Sequence, residues 1–326
     1  MTKLGIMSFA HMHAYSYAAS IKQLDGVELA TIWDDDAARG KTVAAQYGVP
    51  FHADLNAFLK SDVEGVIICS ENIKHRAMTE AAANAGKWIL CEKPLATTIG
   101  DAQAMVDLCK SKGVGLGTAF PCRHVPTLMA VKVEIADGKY GQIYAATCTN
   151  NGSFPGGWFA DEAQSGGGAT MDHTVHVADA LRWMLGREFT QVYCECDNLI
   201  RHGIGTDDVG SLHLEMEGGI KITHVASWNR AKSFPTWGDV TMEIIGEKGV
   251  VTVDAFNQKI NLYNDEAMKT QWVGFGDNSD FGLVRDFANS IRERRDPAAS
   301  GVDGLRAVEV TVAAYKSAKR KARVTV

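Results

Sequence analysis

The segment Trp88-Ile89-Leu90-Cys91-Glu92-Lys93-Pro94 joins a short apolar run to an ion-forming pair and a proline. A bounded apolar run of this length is what a buried strand of a parallel sheet looks like. In an open α/β sheet, ligands bind outside the carboxyl ends of the strands, so Glu92 and Lys93 stand where a binding crevice is expected. Pro94 cannot extend a ladder and restrains Lys93 to extended backbone. An isolated Glu-Lys-Pro more often marks a solvated turn. The sequence on either side decides between the two readings.

Outward from this segment, short apolar runs alternate with helical stretches, the pattern of βαβ units and a parallel sheet. The runs are Lys3-Met7, Val27-Trp33, Val63-Cys69, Trp88-Cys91 and Gly115-Ala119. Helical segments lie between them at Ala14-Leu24, Asp36-Gln46, Ile73-Ala85 and Ile99-Lys112, and Gly26, Gly48, Gly86 and Gly113 supply stop signals. From Pro121 the rhythm changes to longer alternating runs, Gln142-Asn150, Gln191-Asn198, Asp208-Met216, Ile220-Asn229 and Asp239-Ile245. Helices at Ala169-Leu185, Phe281-Arg294 and Gly304-Lys319 accompany them. The expected class is α/β. Residues 1–121 form a doubly wound parallel sheet of the Rossmann type, and residues 122–326 an α+β domain with an open, mostly antiparallel sheet.

The chain has 326 residues, 46% hydrophobic and 22% charged, as an ordinary soluble two-domain protein has. A formal net charge of -6 argues against nucleic acid or an anionic membrane as partner and favours a small molecule. The basic end Lys316, Lys319, Arg320, Lys321 and Arg323 reads as a helix C-terminus complementing the macrodipole. No signal-sequence pattern and no apolar run of membrane-spanning length is found. The seven cysteines are odd in number and show neither metal spacing nor a disulfide framework, so a reduced, cytoplasmic protein is expected. Cys194 and Cys196 read as packing thiols.

A dinucleotide fold opens with glycines between the first strand and helix. Here those slots hold Ser8-Phe9-Ala10-His11-Met12-His13, with no glycine at all. Asp34 ends the second run 21 residues after His13, close to the spacing at which an acid takes the adenosine ribose. Asp35 and Asp36 follow, and three acids repel a 2′-phosphate, which favours NAD over NADP; Asp36 also suits a helix cap. His11 is placed facing the cofactor phosphates. His11 and His13 would diverge on a helix and have no third ligand near in sequence, so no metal is assigned.

Farther on, Ser165-Gly166-Gly167-Gly168 leads into a helix on which Asp172 and His176 lie four apart, on one face. The pair suits acid/base work: a histidine near neutrality takes a proton and a carboxylate orients it. Arg123, His124, Asn150, Trp158, Phe159 and His173 describe a polar pocket with aromatic walls, suited to a polyhydroxylated ring.

Glu92-Lys93-Pro94 after Gly86-Lys87, Val66 to Asn72 with His75, Arg123 with Pro126, Trp158, and Gly166-Gly167-Gly168 before Asp172 and His176 together resemble the glucose-fructose oxidoreductase and inositol dehydrogenase family, Gfo/Idh/MocA. The resemblance runs along nearly the whole chain. It implies a Rossmann domain that binds NAD, and a second domain whose open sheet makes a homodimer or homotetramer interface. It further implies hydride transfer from a hydroxyl of a sugar or polyol. Lys93 would bind the reacting oxygen, His176 act as base and acid, and Asp172 position substrate or His176. Ser70, Asn72, His75 and Glu92 would line the cofactor. Two other functions remain on this fold: redox-assisted glycoside hydrolysis or elimination with NAD regenerated, and non-catalytic sugar sensing. The absent glycines, and His173 and Thr174 after Asp172, depart from the family pattern; His173 stands as a second substrate ligand or an alternative base.

Overall fold

The computed structural model describes residues 1–276 and 278–326. In chain order the first elements are β1 (Thr2–Met7), α1 (His13–Gln23), β2 (Val27–Trp33), α2 (Ala37–Tyr47), β3 (Phe51–His52) and α3 (Leu55–Leu59). Next come β4 (Gly65–Ile68), α4 (His75–Asn84), β5 (Trp88–Cys91), α5 (Ile99–Lys112) and β6 (Leu116–Thr118). The second half holds α6 (Pro126–Ala136), β7 (Ile143–Asn151), α7 (Glu162–Ser165), α8 (Ala169–Leu185), β8 (Phe189–Asp197), β9 (Val209–Met216) and β10 (Ile220–Ser227). It closes with β11 (Thr241–Gly246), β12 (Gly249–Asp254), β13 (Lys259–Asn264), β14 (Lys269–Gly274), α9 (Ser279–Glu293), α10 (Gly301–Arg320) and β15 (Val324–Thr325).

Two compact units result. The first takes Met1–Pro121 together with 163–166 and 279–308. Its sheet has the order β3-β2-β1-β4-β5-β6, parallel throughout. The order reverses between β1 and β4, and at such a switch point adjoining loops part and leave a crevice. β4 and β5 are buried along almost their whole length, which explains their unbroken apolar sequence. Helix ends follow local chemistry. Asp36 accepts from the backbone N–H groups of Ala38 and Arg39 at the start of α2, Thr98 accepts from that of Asp101 at the start of α5, and Gly48 and Gly113 close these helices in left-handed conformation. α9 returns from late in the chain to pack Leu283, Val284, Phe287 and Ile291 into this core. The domain division expected at residue 121 is thus crossed by α9 and the start of α10.

The second unit holds Cys122–Glu162, Gly167–Asn278 and Glu309–Val326. Its sheet runs β12-β11-β7-β10-β9-β8-β15, antiparallel except for the β7–β10 pair. Alternation sets its two faces: Ile220, Ile222 and Ala226 of β10 point into the core, while Lys221, Thr223 and Val225 face solvent. α8 covers the inner face with Val177, Ala178, Leu181 and Met184. β13 and β14 form a separate hairpin. None of the seven cysteines is in a disulfide. Among the described residues no helix is long and apolar enough to cross a membrane.

Candidate active site

In the first unit the residues singled out from sequence gather at the carboxyl ends of the strands: Ser8 after β1, Asp34 after β2, Ser70 after β4, and Glu92 with Lys93 after β5. Ser8 has φ +73°, the left-handed conformation that the first glycine of a dinucleotide turn supplies. Its hydroxyl accepts from the Ala10 N–H at 3.2 Å, a local bond that supports the turn without glycine. The Phe9 N–H donates to Asp34 Oδ2 at 2.9 Å, and the His11 N–H to the Cys69 carbonyl at 2.9 Å. These bonds tie the turn to the ends of β2 and β4.

Asp34 is buried and fully engaged. Oδ2 also accepts from Arg39 Nε at 2.9 Å, and Oδ1 from the Asp36 N–H at 2.9 Å and Arg39 Nη2 at 2.6 Å. With four donors a carboxylate has no vacant lone-pair direction. Arg39, which the sequence reading passed over, therefore competes with a ribose for Asp34. It also reaches Asp35 at 3.2 Å and the Ser8 hydroxyl at 3.2 Å, so the cluster of three acids is partly neutralised.

His11 precedes α1 and is not on a helix, so its ring converges with that of His13, the centroids 4.4 Å apart. This corrects the expected divergence. Glu92, 79 residues from His13, is the third member: its Oε1 lies 2.9 Å from His13 Nδ1 and accepts from the Tyr17 hydroxyl at 2.6 Å. Its Oε2 accepts from the Lys93 N–H at 3.1 Å and lies 3.9 Å from His11 Nε2. Among the described residues this is the one histidine and carboxylate trio with metal-like spacing. However, His11 Nδ1 accepts the His13 N–H at 3.2 Å, which leaves the ring proton on Nε2 and no lone pair for a cation. His13 is hydrogen-bonded to the carboxylate, and His11 joins the pair through the His13 N–H. Burial alone would raise the Glu92 pKa, but the imidazoles of His11 and His13 and the Lys93 ammonium hold it well below the usual carboxylate range. Lys93 itself is 4% exposed, and the Lys93-Pro94 peptide is cis.

His75 and Asn72 support this ring of loops. His75 is fully buried, with Nδ1 3.0 Å from the Pro94 carbonyl and Nε2 3.4 Å from that of Ser70; burial lowers its pKa. Asn72 donates from Nδ2 to the Ser165 carbonyl at 2.8 Å, and Ser70 from its hydroxyl to the Glu71 carbonyl at 3.1 Å. The left-handed turn at Ser8, the small Ala10 behind it and a buried acid ending β2 fit a dinucleotide at the β1/β4 switch point. Ser8, Phe9, Ala10 and Asp34 would hold it.

In the second unit the glycine run brings backbone against Asp207. A Cβ at Gly168 would fall inside the contact radius of the Asp207 carbonyl oxygen. Gly168 N–H donates to Asp207 Oδ1 at 3.1 Å and to the Tyr315 hydroxyl at 2.9 Å, and Thr170 N–H to Asp207 Oδ2 at 2.8 Å. The first turn of α8 is therefore capped from within the chain. Nothing local in the sequence marks Asp207 or Tyr315 for that task.

One turn further, Asp172 and His176 are each 7% exposed. Asp172 Oδ2 accepts the Trp228 indole N–H at 2.9 Å and lies 3.3 Å from His173 Nε2. Trp228, fully buried after β10, was missed; its signal is a large aromatic with an N–H at a strand end. His173 Nδ1 lies 2.9 Å from the Asn150 carbonyl, and the Asn150 amide donates to the Asp239 carbonyl at 2.7 Å. Trp158 stacks on Phe159 with centroids 3.8 Å apart, and Phe159 meets Trp228 edge-on. Arg123 is buried against Asp179 of α8, with Nε and Nη2 donating to the two carboxylate oxygens at 2.8 and 2.6 Å. The fork that the sequence offered to substrate thus clamps α8 to the segment before α6.

Residues 4–120 match the family model described as oxidoreductase family, NAD-binding Rossmann fold, and residues 128–252 match the GFO/IDH/MocA C-terminal domain. The chain belongs to the Gfo/Idh/MocA oxidoreductase family. As a member it is an oxidoreductase with an NAD-binding Rossmann domain. It is 29% identical over 304 residues to 1,5-anhydro-D-fructose reductase of Ensifer adhaerens, covering 90% of this chain and 89% of that one. Against inositol 2-dehydrogenase of Rhizobium meliloti (strain 1021) it is 26% identical over 322 residues, 95% of each chain. Among solved structures, GenD2 from gentamicin A biosynthesis in complex with NAD superposes with a TM-score of 0.90 at 23% identity, over 100% of this chain and 96% of that one.

Proposed function

We propose that the protein oxidises a secondary hydroxyl of a sugar, polyol or sugar derivative with NAD. The observation that carries the reading is Lys93: a buried ammonium at the carboxyl end of β5, next to a Glu92 held charged, in a sheet of Rossmann order. When bound, NAD accepts the hydride that leaves the carbon. Lys93 stabilises the oxyanion that develops as the hydroxyl loses its proton. His176 takes that proton and returns it in the reverse direction, and Asp172 orients the substrate or His176. Trp158 and Phe159 give the apolar wall against which a sugar ring lies. Arg123, with its fork on Asp179, serves the fold in this reading, and His75 supports the loops that hold the cofactor. The names of the relatives, a reductase of anhydro-D-fructose and a dehydrogenase of inositol, support a polyhydroxylated ring as substrate. Self-association through the open face of the second sheet, where Tyr144, Val225 and Ile245 are exposed, belongs to the same reading.

The test is a spectrophotometric screen of cyclic polyols, aldoses and sugar acids with NAD, repeated with aryl glycosides and catalytic NAD. Net NADH with a polyol or sugar is expected. Aglycone release without NADH would replace the proposal by redox-assisted glycoside cleavage, and no turnover in either arm would overturn both.

Cofactor choice rests on Asp34 in competition with Arg39. A charge-assisted pair of ribose hydrogen bonds contributes about 1.5–3 kcal/mol, so Asp34→Ala should raise the KM for NAD roughly 10-fold or more. The same change frees Arg39 for a 2′-phosphate, and the KM for NADP should fall. Parallel KM measurements with the two cofactors check this; an unchanged ratio removes Asp34 from ribose recognition.

A further inference from the structure

His173 is fully buried, yet its two ring nitrogens face different partners. Nδ1 lies 2.9 Å from the Asn150 carbonyl, which can only accept, so a proton is fixed on Nδ1. Nε2 lies 3.3 Å from Asp172 Oδ2, the oxygen that also takes the Trp228 indole N–H. The ring is caged. Trp237 meets it edge-on with centroids 5.3 Å apart, and a Cβ at Gly152 would lie 2.9 Å from His173 Cε1 and 2.7 Å from the Trp237 ring. Gly152 therefore keeps open the space that the imidazole fills.

The Asp172 carboxylate 3.3 Å away favours a proton on Nε2. His224, from β10, is pushed down to about 3, first by burial and further by the charge of His173, so it stays neutral beside it. On α8 itself the titratable groups next to His173 along the helix are Asp172 and, one turn on, His176. A bare Nε2 lone pair at 3.3 Å would repel the Asp172 carboxylate, whereas an N–H there attracts it.

We propose that His173 is a positioning residue for the reaction: anchored through Nδ1 on the Asn150 carbonyl, it presents an Nε2 donor that fixes the Asp172 carboxylate in the orientation the substrate meets. The proposal rests on the reading of Asp172 given under Proposed function. It also supplies a reason for histidine directly after that aspartate, and it takes His173 out of direct contact with substrate.

Amide side chains separate the two nitrogens. Asparagine places its N–H groups near the position of Nδ1, glutamine near that of Nε2. With the substrate found in the screen, His173→Gln should keep kcat within about threefold, while His173→Asn and His173→Leu should lower it roughly 10- to 100-fold with NAD binding unchanged, as loss of a fixed orientation does. The Trp228 indole resonance should stay in place in the Gln variant and move in the other two. Rescue by Asn and not by Gln would overturn the proposal and assign His173 to the Asn150 anchor alone; wild-type kcat in all three would overturn it too. Nitrogen-15 histidine NMR of the unsubstituted protein needs neither a variant nor a substrate. Both His173 nitrogens should be protonated, and a bare Nε2 overturns the proposal. Asp172→Asn keeps the two readings apart: full activity there would refute the role of Asp172, while the protonation of His173 stands or falls separately.

Discussion

Lys93→Met should lower kcat by roughly 10²–10³-fold, as removal of one donor aimed at a developing oxyanion does, and raise the KM of the sugar or polyol. Methionine is chosen because Lys93 is 4% exposed and an unbranched side chain of similar length fills that space without a cavity. The charge is what is lost. Lys93 is also one of the groups that hold Glu92 ionised, so the change leaves the cluster of Glu92, His11, His13 and Tyr17 with less compensation. Steady-state kinetics separates the effects, since an interaction made mainly in the transition state lowers kcat, while uniform binding changes KM alone. Kinetics like those of the unsubstituted enzyme would remove Lys93 from the reaction.

The second large effect is expected at His176. His176→Ala should reduce turnover by on the order of 10²–10⁴, the range for a lost general base, with NAD affinity retained. The residual rate should rise with pH, because solvent hydroxide then replaces the missing base. Unaltered turnover would refute the assignment. His173 is a poor substitute as base: it is fully buried and its Nδ1 faces the Asn150 carbonyl.

Much of the first unit was legible because its elements follow local rules. Val27–Trp33, Trp88–Cys91 and Ile99–Lys112 were placed to the residue, since each is bounded by punctuation that acts within a few positions. α8 was also placed to its ends, Ala169 and Leu185; in the structure Gly186 closes it in left-handed conformation. The two-residue strand β3 and the five-residue helix α3 escaped, being too short to show a period. α6 escaped for another reason: Val131, Val133 and Ile135 are β-branched residues in alternation, a strand-like pattern, and only Leu128 and Val131 are buried in the core. β13 and β14 carry exposed apolar residues on both faces, so their pattern has no inside and outside to read.

The sequence by itself determined which backbone positions would present chemistry. Periodicity set the strands, and the strand ends set Ser8, Asp34, Ser70, Glu92 and Lys93 on one edge of the sheet; helical spacing put Asp172 and His176 on one face of α8. Only the tertiary structure decided what those side chains touch. Tyr17 and His13 on Glu92, Trp228 on Asp172, and Asp179 on Arg123 are choices among polar partners. The physical reason is range: backbone propensity acts over a few residues, whereas a buried polar group bonds whatever donor the packed fold brings within 3 Å or so. For Glu92 and Asp172 those donors stand 79 and 56 residues away along the chain.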